Sequence, residues 1–216
     1  MIRTYSKARD GNTKLSNSFR VREFACKDGS DAVCIDTELV KLLQRIRNWA
    51  GNTVKITSGY RTYYWNSKIG GAANSYHTKG RAADIIVTSK TINEVAAFAE
   101  AIGAGGVERN EDTFYVHVDT RDVRYLFRHK NYRNIGVSTL GGRCLYNEPT
   151  KSVKLGSTGE GVKWLQFWLG LWGYKVTIDG TFGAKTDTAV RDVQKRRGLK
   201  VDGIAGEKTR NALKGY

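Results

Sequence analysis

Two apolar runs of this sequence each carry one polar side chain of a type that binds metals. Asp84 stands in Ala82–Val87, whose composition is that of a buried strand, and His117 stands in a later run that also has strand composition. His77 lies on the loop that enters the first run, and Gly80 allows that loop to fold back. The spacing therefore permits His77 and Asp84 to reach one ion.

Two imidazoles and one carboxylate form a three-ligand set for a catalytic zinc, with the fourth tetrahedral position left for water. The sequence holds only three histidines, and two of them are His77 and His117. Along residues 114–119, the two-residue period of a strand places Tyr115, His117 and Asp119 on one face. Taken alone, each histidine has the alternative of an ordinary surface or core residue, and the strand aspartate that of a satisfied structural acid.

Helix and strand patterns in the same part of the chain predict an α+β arrangement. A helix is expected over Thr37–Ala50 with Asp36 as its N-cap, and another over residues 91–102 with the spacing of a capping box. Strands are expected near residues 53–57, 82–87 and 114–119. The sheet is expected to present the ligands, and the helices to cover its back.

Several motifs are those of a known family. The residues that carry the resemblance are residues 23–29, residues 58–62, Asn66, residues 70–72, residues 75–84, and the triplet of His117, Val118 and Asp119. From about residue 5 to residue 128, the chain resembles the zinc D-alanyl-D-alanine peptidases, which include D,D-carboxypeptidases, vancomycin-resistance dipeptidases and phage endolysin peptidases. The resemblance implies a small antiparallel-sheet zinc peptidase domain of the hedgehog and D,D-peptidase-like type.

The resemblance also implies roles for individual residues. His77, Asp84 and His117 would hold one Zn²⁺ per chain, and Arg61 would stabilise the substrate carbonyl oxygen as it becomes an oxyanion. The same roles follow from chemistry, because zinc polarises an amide and a guanidinium supplies fixed positive charge where negative charge develops.

Two further residues near the ligands are expected to bind substrate. Ser75 begins the motif that contains His77, and Tyr60 lies on the loop that carries Arg61. Loop positions beside catalytic groups favour the substrate cleft, although packing is the alternative for Tyr60.

One departure from the family pattern concerns the general base. Many relatives place a catalytic Glu or Asp three residues before the last histidine ligand, where this sequence has Phe114. Asp119 is the preferred base because it shares a strand face with His117, and Glu111 and Asp112 in the preceding turn are alternatives. The other role open to Asp119 is to orient His117.

The last third of the sequence contains a repeat with a constant offset of 23 residues. Residues 178–190 recur as residues 201–213, and each copy has an Asp-Gly turn followed by a glycine that opens a helix. Before the first copy, apolar residues at three- and four-residue steps predict a helix over residues 159–172. With helices over residues 184–197 and 207–214, the expected unit is a small all-α three-helix domain.

Residues 152–213 resemble the three-helix peptidoglycan-binding domain that is appended to many wall hydrolases. Trp164, Phe167 and Trp168 lie off the main core stripe of the first helix. Trp164 and Trp168 are therefore predicted to bind substrate, because exposed aromatic rings can stack on sugars. The alternative is that these rings pack against the catalytic domain or close the helix bundle.

The composition between the two parts predicts a domain boundary. Residues 147–151 contain the only proline, Pro149, and have linker composition. The expected organisation is a catalytic domain at residues 1–146 and a wall-binding domain at residues 152–216, which are ordinary domain sizes.

The net charge of +15 is shared by both parts, since residues 1–150 carry 23 basic and 15 acidic residues and residues 151–216 carry 13 and 6. Such a surface attracts polyanions, so the expected partners are bacterial peptidoglycan and anionic wall polymers. Nucleic acid is the rival partner from another class. Scattered basic residues and the lack of a nucleic-acid motif argue against it.

The cysteines and the N-terminal residues indicate in which compartment the protein is made. Cys26, Cys34 and Cys144 are an odd number without a closely spaced pair, so reduced thiols are expected, with a bridge between Cys26 and Cys34 left open. The first ten residues lack the apolar segment of a signal peptide, and no membrane span is expected. The protein is thus expected to be a monomer made in the cytoplasm that reaches the wall by phage or prophage lysis.

These observations predict a zinc-dependent, endolysin-like peptidoglycan hydrolase that cleaves stem-peptide or cross-link amide bonds and is targeted by its C-terminal module. One alternative is a D,D-carboxypeptidase that trims terminal D-Ala. Another is a zinc-containing wall-binding protein without turnover.

Overall fold

The computed structural model describes residues 1–110, 112–122, 125–128 and 144–216. The chain divides into two compact units, Met1–Gly142 and Arg143–Tyr216. Glu111, one of the candidate bases, lies outside the described residues. In the described parts of the chain, none of the helices is both long and apolar enough to cross a membrane.

The first unit combines a two-stranded sheet, a five-stranded sheet and helices, which confirms the predicted α+β class. In chain order its elements are β1 Ile2–Ser6, α1 Lys7–Asp10, a 3-10 helix Val21–Phe24, β2 Ala32–Asp36, α2 Thr37–Ala50, β3 Val54–Ser58, α3 Tyr63–Lys68, β4 Ala82–Val87, α4 Ile92–Ala101, β5 Gly106–Asn110, β6 Tyr115–Asp119 and β7 Tyr125–Arg128.

The larger sheet has the strand order β3-β4-β6-β5-β7. Its neighbours pair antiparallel except at one edge, where β7 runs parallel to β5 and so departs from the prediction of an antiparallel sheet. Asp84 lies directly opposite His117, and His117 lies directly opposite Glu108. Directly opposed residues share a face, so these three side chains leave the sheet on the same side.

The opposite face of the sheet is mostly apolar and is covered by α2 and α4. Its buried side chains include Ile85, Val87, Val107, Val116 and Val118. Trp49 of α2 stacks on Phe98 of α4 with ring centroids 4.4 Å apart. Burying one large apolar side chain contributes about 1.5–3 kcal/mol, so this side stabilises the unit and leaves the polar face for chemistry.

The caps of α2 and α4 agree with the sequence. Asp36 Oδ1 accepts a hydrogen bond from the Glu38 amide at 3.2 Å, and α2 ends at Gly51, whose φ of 63° is in the left-handed region. At α4, Thr91 Oγ1 accepts from the Glu94 amide at 3.2 Å and Glu94 Oε2 accepts from the Thr91 amide at 2.8 Å. The two predicted helices are therefore confirmed.

The second unit contains three helices, α5 Glu160–Leu171, α6 Ala184–Arg196 and α7 Glu207–Leu213, as the sequence predicts. The core includes buried Leu165, Leu169, Val190, Val193 and Leu213. A unit of this size has a small core, so polar contacts must complete its packing.

Two buried glutamines provide those contacts in an equivalent manner. Gln166 Nε2 donates to Asp179 Oδ1 at 2.8 Å, and Gln166 Oε1 accepts from the Gly180 amide at 2.9 Å. Gln194 Nε2 donates to Asp202 Oδ1 at 2.9 Å, and Gln194 Oε1 accepts from the amide of the next glycine at 3.0 Å. Each Asp-Gly turn of the repeat is thus tied to the helix that precedes it.

The predicted linker lies within the second unit, and Glu148 pairs with residues near the end of the chain. Glu148 pairs with Arg210 at 3.2 Å and with Lys214 at 2.8 Å. The boundaries proposed for residues 147–151 stay a prediction, because these contacts show where Glu148 lies without defining where either domain ends.

Candidate metal centre and active site

Three predicted ligands meet on the polar face of the sheet. His77 comes from the loop before β4, Asp84 from β4 and His117 from β6, and one ligand atom from each lies within 4.8 Å of the others. His77 Nε2 lies 3.1 Å from His117 Nδ1, and Asp84 Oδ1 lies 3.2 Å and 2.9 Å from these two nitrogens. The sequence placed these residues together correctly.

The chemistry of this cluster fits a zinc ion. Tetrahedral ligands about 2.0–2.1 Å from zinc are roughly 3.3 Å apart, which is close to the separations between these atoms. The far nitrogen of each ring has a partner: His77 Nδ1 donates to the Gly59 carbonyl at 2.7 Å, and His117 Nε2 donates to Asp119 Oδ2 at 3.2 Å. These bonds direct the other ring nitrogens towards a shared ion, as partners of metal-binding histidines do.

Two glycines allow the backbone to place His77. Gly59, whose carbonyl holds the His77 ring, is so close to Phe24 that a Cβ would lie 2.6 Å from its Cα. Gly80 has a φ of 67°, and a Cβ there would lie 2.4 Å from the Cys34 carbonyl oxygen. The fold-back predicted at Gly80 therefore depends on both its conformation and its lack of a side chain.

Ser75 stabilises the turn that carries His77. Its hydroxyl accepts a hydrogen bond from the His77 amide at 3.3 Å, and its carbonyl accepts from Thr78 Oγ1 at 2.7 Å. The structure thus gives Ser75 a positioning contact, and its predicted contact with substrate stays a prediction.

The surroundings shift the pKa values of the two histidines in opposite directions. Burial lowers the pKa of His77, which favours the neutral ring that a metal requires. Burial also acts to lower the pKa of His117, but hydrogen bonds to Asp119 and Asp84 outweigh it and raise that pKa to about 9. Burial acts to raise the pKa of Asp84, whereas the two imidazoles hold it well below its usual range. A metal would therefore replace a proton on His117.

Arg61 joins the cluster through the outer oxygen of Asp84. Its Nη2 donates to Asp84 Oδ2 at 2.6 Å, and its Nε donates to Ser58 Oγ at 2.8 Å. This pair leaves Asp84 Oδ1 directed at the histidines. The predicted oxyanion role of Arg61 stays a prediction, now with the added contact to a ligand.

Asp119 lies behind His117 relative to the cluster, so the structure argues against its predicted role as general base. Its side chain is 0% exposed and accepts from His117 Nε2, from Arg121 Nε at 2.9 Å and from Arg121 Nη2. The His117 ring stands between this carboxylate and the other two ligands. The alternative, in which Asp119 orients His117, agrees with this geometry.

The predicted aromatic substrate contacts need correction in the second unit. Trp164 and Trp168 are only 4% and 3% exposed, so neither presents a ring face on which a sugar could stack. Their rings lie 5.8 Å apart, which agrees with the packing alternative. Tyr60 is half-buried, and burial together with the neighbouring Cys34 thiol raises its pKa. A substrate contact for Tyr60 stays a prediction.

The sequence analysis missed Glu108 as a member of the site face. Glu108 belongs to β5, which was not predicted because Arg109 interrupts the apolar alternation of that strand. Arg109 is nevertheless buried, with its charge paired to Glu100 at 2.6 Å. The available signal was limited to Val107, the one buried apolar side chain of this strand.

The first unit is thus an α+β domain with a buried histidine-aspartate cluster of metal-binding type, and a small helical domain follows it. Residues 17–119 match the Peptidase M15 family, and residues 158–213 match the family described as putative peptidoglycan binding domain. The chain thus carries a peptidase M15 domain followed by a C-terminal peptidoglycan-binding domain.

Curated relatives resemble part of the chain. The peptidoglycan L,D-endopeptidase MepK of Escherichia coli K12 is 33% identical over 98 residues, which are 42% of this chain and 54% of the relative. A probable peptidoglycan L,D-endopeptidase MepK of Haemophilus influenzae is 34% identical over 76 residues, which are 33% of this chain and 41% of the relative. The chain therefore spans about half the length of the curated relatives it matches.

One solved structure, a Burkholderia AP3 phage endolysin, is 41% identical over 29% of this chain and 24% of its own, with a TM-score of 0.29. A TM-score of that size does not establish a common fold.

Proposed function

We propose that this protein is a zinc-dependent peptidoglycan hydrolase that cleaves peptide amide bonds of the bacterial cell wall. The observation that carries the proposal is the convergence of His77, Asp84 and His117, whose ligand atoms lie within 4.8 Å of one another. The peptidase M15 match of residues 17–119 and the peptidoglycan-binding match of residues 158–213 support the substrate class.

The proposed mechanism assigns a task to each residue of the cluster. His77, Asp84 and His117 hold the ion. When bound, zinc supplies Lewis-acid polarisation of the amide carbonyl and lowers the pKa of water. Asp119 fixes the orientation of His117, and Arg61 fixes that of Asp84 while bringing positive charge to the place where the carbonyl oxygen becomes negative.

Within this class we favour an endopeptidase acting on stem peptides or cross-links. The supporting observation is that the curated relatives, at 33% and 34% identity, are named peptidoglycan L,D-endopeptidases. Trimming of terminal D-Ala by a D,D-carboxypeptidase is the alternative bond choice. A wall-binding protein without turnover is the alternative outside enzymes.

The second unit is proposed to hold the enzyme on its insoluble substrate. Tethering raises the effective concentration of the catalytic unit at the wall. The excess of basic residues also suits anionic wall polymers, and the proposed site of action is the bacterial cell wall. Arrival through phage or prophage lysis stays a prediction.

Digestion of purified sacculi followed by mass spectrometry of the new termini tests the proposal. We expect new peptide termini from the protein supplied with zinc, none after chelation, and recovery when zinc is restored. His77→Ala should lose zinc and hydrolysis while still sedimenting with the wall. Release of D-Ala alone would favour the carboxypeptidase, and wall binding without any new terminus would favour the binding protein.

A further inference from the structure

Hydrolysis of an amide needs a group that accepts a proton from the attacking water. The carboxylates already described do not meet this need. Asp84 is committed to the metal cluster and to Arg61, and Asp119 lies behind the His117 ring with Arg121 bound to it. Asp112 is exposed in the turn before β6.

Glu108 is a further carboxylate on the face that carries the ligands. It lies in β5 directly opposite His117, in an antiparallel pair where Cβ atoms are about 4.5–5.5 Å apart. The side chain is half-buried and makes no hydrogen bond or ion pair with any other residue that the structure describes. A half-buried carboxylate that has no partner among the described residues, one strand from a predicted metal ligand, is available for contact with substrate or water.

Tyr115 and Asn110 continue the same face beside this pair. Tyr115 shares the strand face of His117 and lies directly opposite Asn110, which follows Glu108 along the same side of β5. Glu108 therefore lies on the face that carries His117 and Tyr115.

We propose that Glu108 is the general base of the hydrolysis, a role that rests on the proposed function. Its carboxylate accepts one proton from water as the water oxygen bonds to the amide carbon. It then returns that proton to the amide nitrogen as the C–N bond breaks, which leaves a carboxyl and an amine product. Glu108 is not itself a ligand, because the three-ligand cluster that the structure brings together consists of His77, Asp84 and His117.

Glu108→Gln tests this role because it removes the basic oxygen and keeps the size of the side chain. On soluble muropeptides released from sacculi by a muramidase, we expect kcat to fall about 10²- to 10⁴-fold with KM unchanged. Zinc affinity in a chelator competition and muropeptide affinity of the metal-free protein should equal those of the unsubstituted chain. Glu38→Gln, at an exposed carboxylate of α2, is the matched control and should change neither constant.

The outcomes separate this role from its rivals. Full turnover by Glu108→Gln, while the unsubstituted protein is active, would overturn the base assignment alone. Reduced muropeptide affinity with kcat preserved would assign Glu108 to an ammonium group of the substrate and would also overturn it. A loss of zinc would make Glu108 part of the metal site and would overturn its role as the base.

Absence of hydrolysis by the unsubstituted protein would overturn the proposed function together with this role. Loss of kcat in Asp112→Asn alone would transfer the role to Asp112.

Discussion

At the scale of residues, charges of alternating sign form a continuous row through the site. Arg121 binds Asp119, Asp119 binds His117, His117 binds Asp84, and Asp84 binds Arg61. Every member of the row is largely buried, so removing one leaves its neighbour with an unpaired charge or donor. Arg121, Asp119 and Arg61 should therefore affect metal binding by His117 and Asp84 without being ligands themselves.

Asp119→Ala should lower zinc affinity about 10- to 100-fold, because His117 loses the partner that fixes its ring. Chelator competition measures this change, and Asp122→Ala is the control because the side chain of Asp122 is 88% exposed. Unchanged zinc affinity with a large loss of kcat would instead restore Asp119 as the general base.

The stability of the metal-free protein should depend on pH through His117. Its pKa is raised from 6.5 to about 9 in the folded state, so folding favours the protonated ring. The resulting stabilisation is fully present below about pH 6.5 and is lost as the pH rises through about 9. Urea unfolding of the chelated protein across this range should show the fall, and His117→Asn should remove it. A slope that persists in His117→Asn would contradict the assignment.

Zinc affinity should change in the opposite direction over the same pH range. Zinc must replace the proton on His117 Nδ1, so the apparent affinity rises as that proton becomes easier to remove. Isothermal titration in buffers of different ionisation enthalpy should show proton release on binding near neutral pH. Zinc uptake without proton release would contradict the raised pKa of His117.

At the scale of elements, the loop between α3 and β4 determines where His77 stands. Gly80 supports this loop with a positive φ of 67° in a space closed by the Cys34 carbonyl. The same loop is anchored by the hydrogen bond from the Asp36 amide to the Gly80 carbonyl at 2.8 Å. Small changes here should therefore affect metal binding as well as folding.

Gly80→Ala should destabilise the protein by more than about 1 kcal/mol and weaken zinc binding, because strain and a close backbone contact act together. Gly51→Ala is a matched control, since Gly51 has a similar φ of 63° but a Cβ there would meet nothing within 4 Å. Thermal unfolding and chelator competition distinguish the two variants. Equal zinc affinity in both would show that the loop tolerates the added methyl group.

The sequence predicted elements with a continuous periodicity, and it missed several strands, β5 among them. The α2 and α4 helices and the β4 and β6 strands follow from apolar spacing and capping residues. The β5 strand was missed because Arg109 occupies a buried position of the strand, where an apolar residue is expected. Its charge is tolerated there because it pairs with Glu100.

The site shows the same division between local and tertiary information. The meeting of His77 and Asp84 could be predicted because their spacing is local, and that of His117 because its strand pattern is continuous. The place of Asp119 behind His117 depends instead on which ring nitrogen faces the cluster. Likewise, the burial of Trp164 and Trp168 depends on packing that helical spacing does not reveal.

At the scale of the whole molecule, the net charge of +15 is spread over both units. Under the proposed function, long-range attraction to an anionic wall would need no particular contact, so it would act together with any specific recognition by the second unit. Because the wall is insoluble, binding and turnover can be measured separately on sacculi and on soluble fragments.

Wall binding should weaken as salt rises from 0.1 M to 1 M, because the screening length shortens from about 10 Å to about 3 Å. Sedimentation with purified sacculi measures the bound fraction. Turnover of soluble muropeptides at the same salt concentrations is the control and should change little. Binding that is independent of salt would show that the basic surface does not contribute.

The paired glutamines of the second unit have a chemical consequence. Gln166 and Gln194 each donate through nitrogen and accept through oxygen at a turn that contains an aspartate. Deamidation would replace that nitrogen with oxygen, remove the donor and set two carboxylates against each other. Deamidation at either position, detectable as a mass increase of about one dalton, would therefore loosen the turn that the glutamine holds.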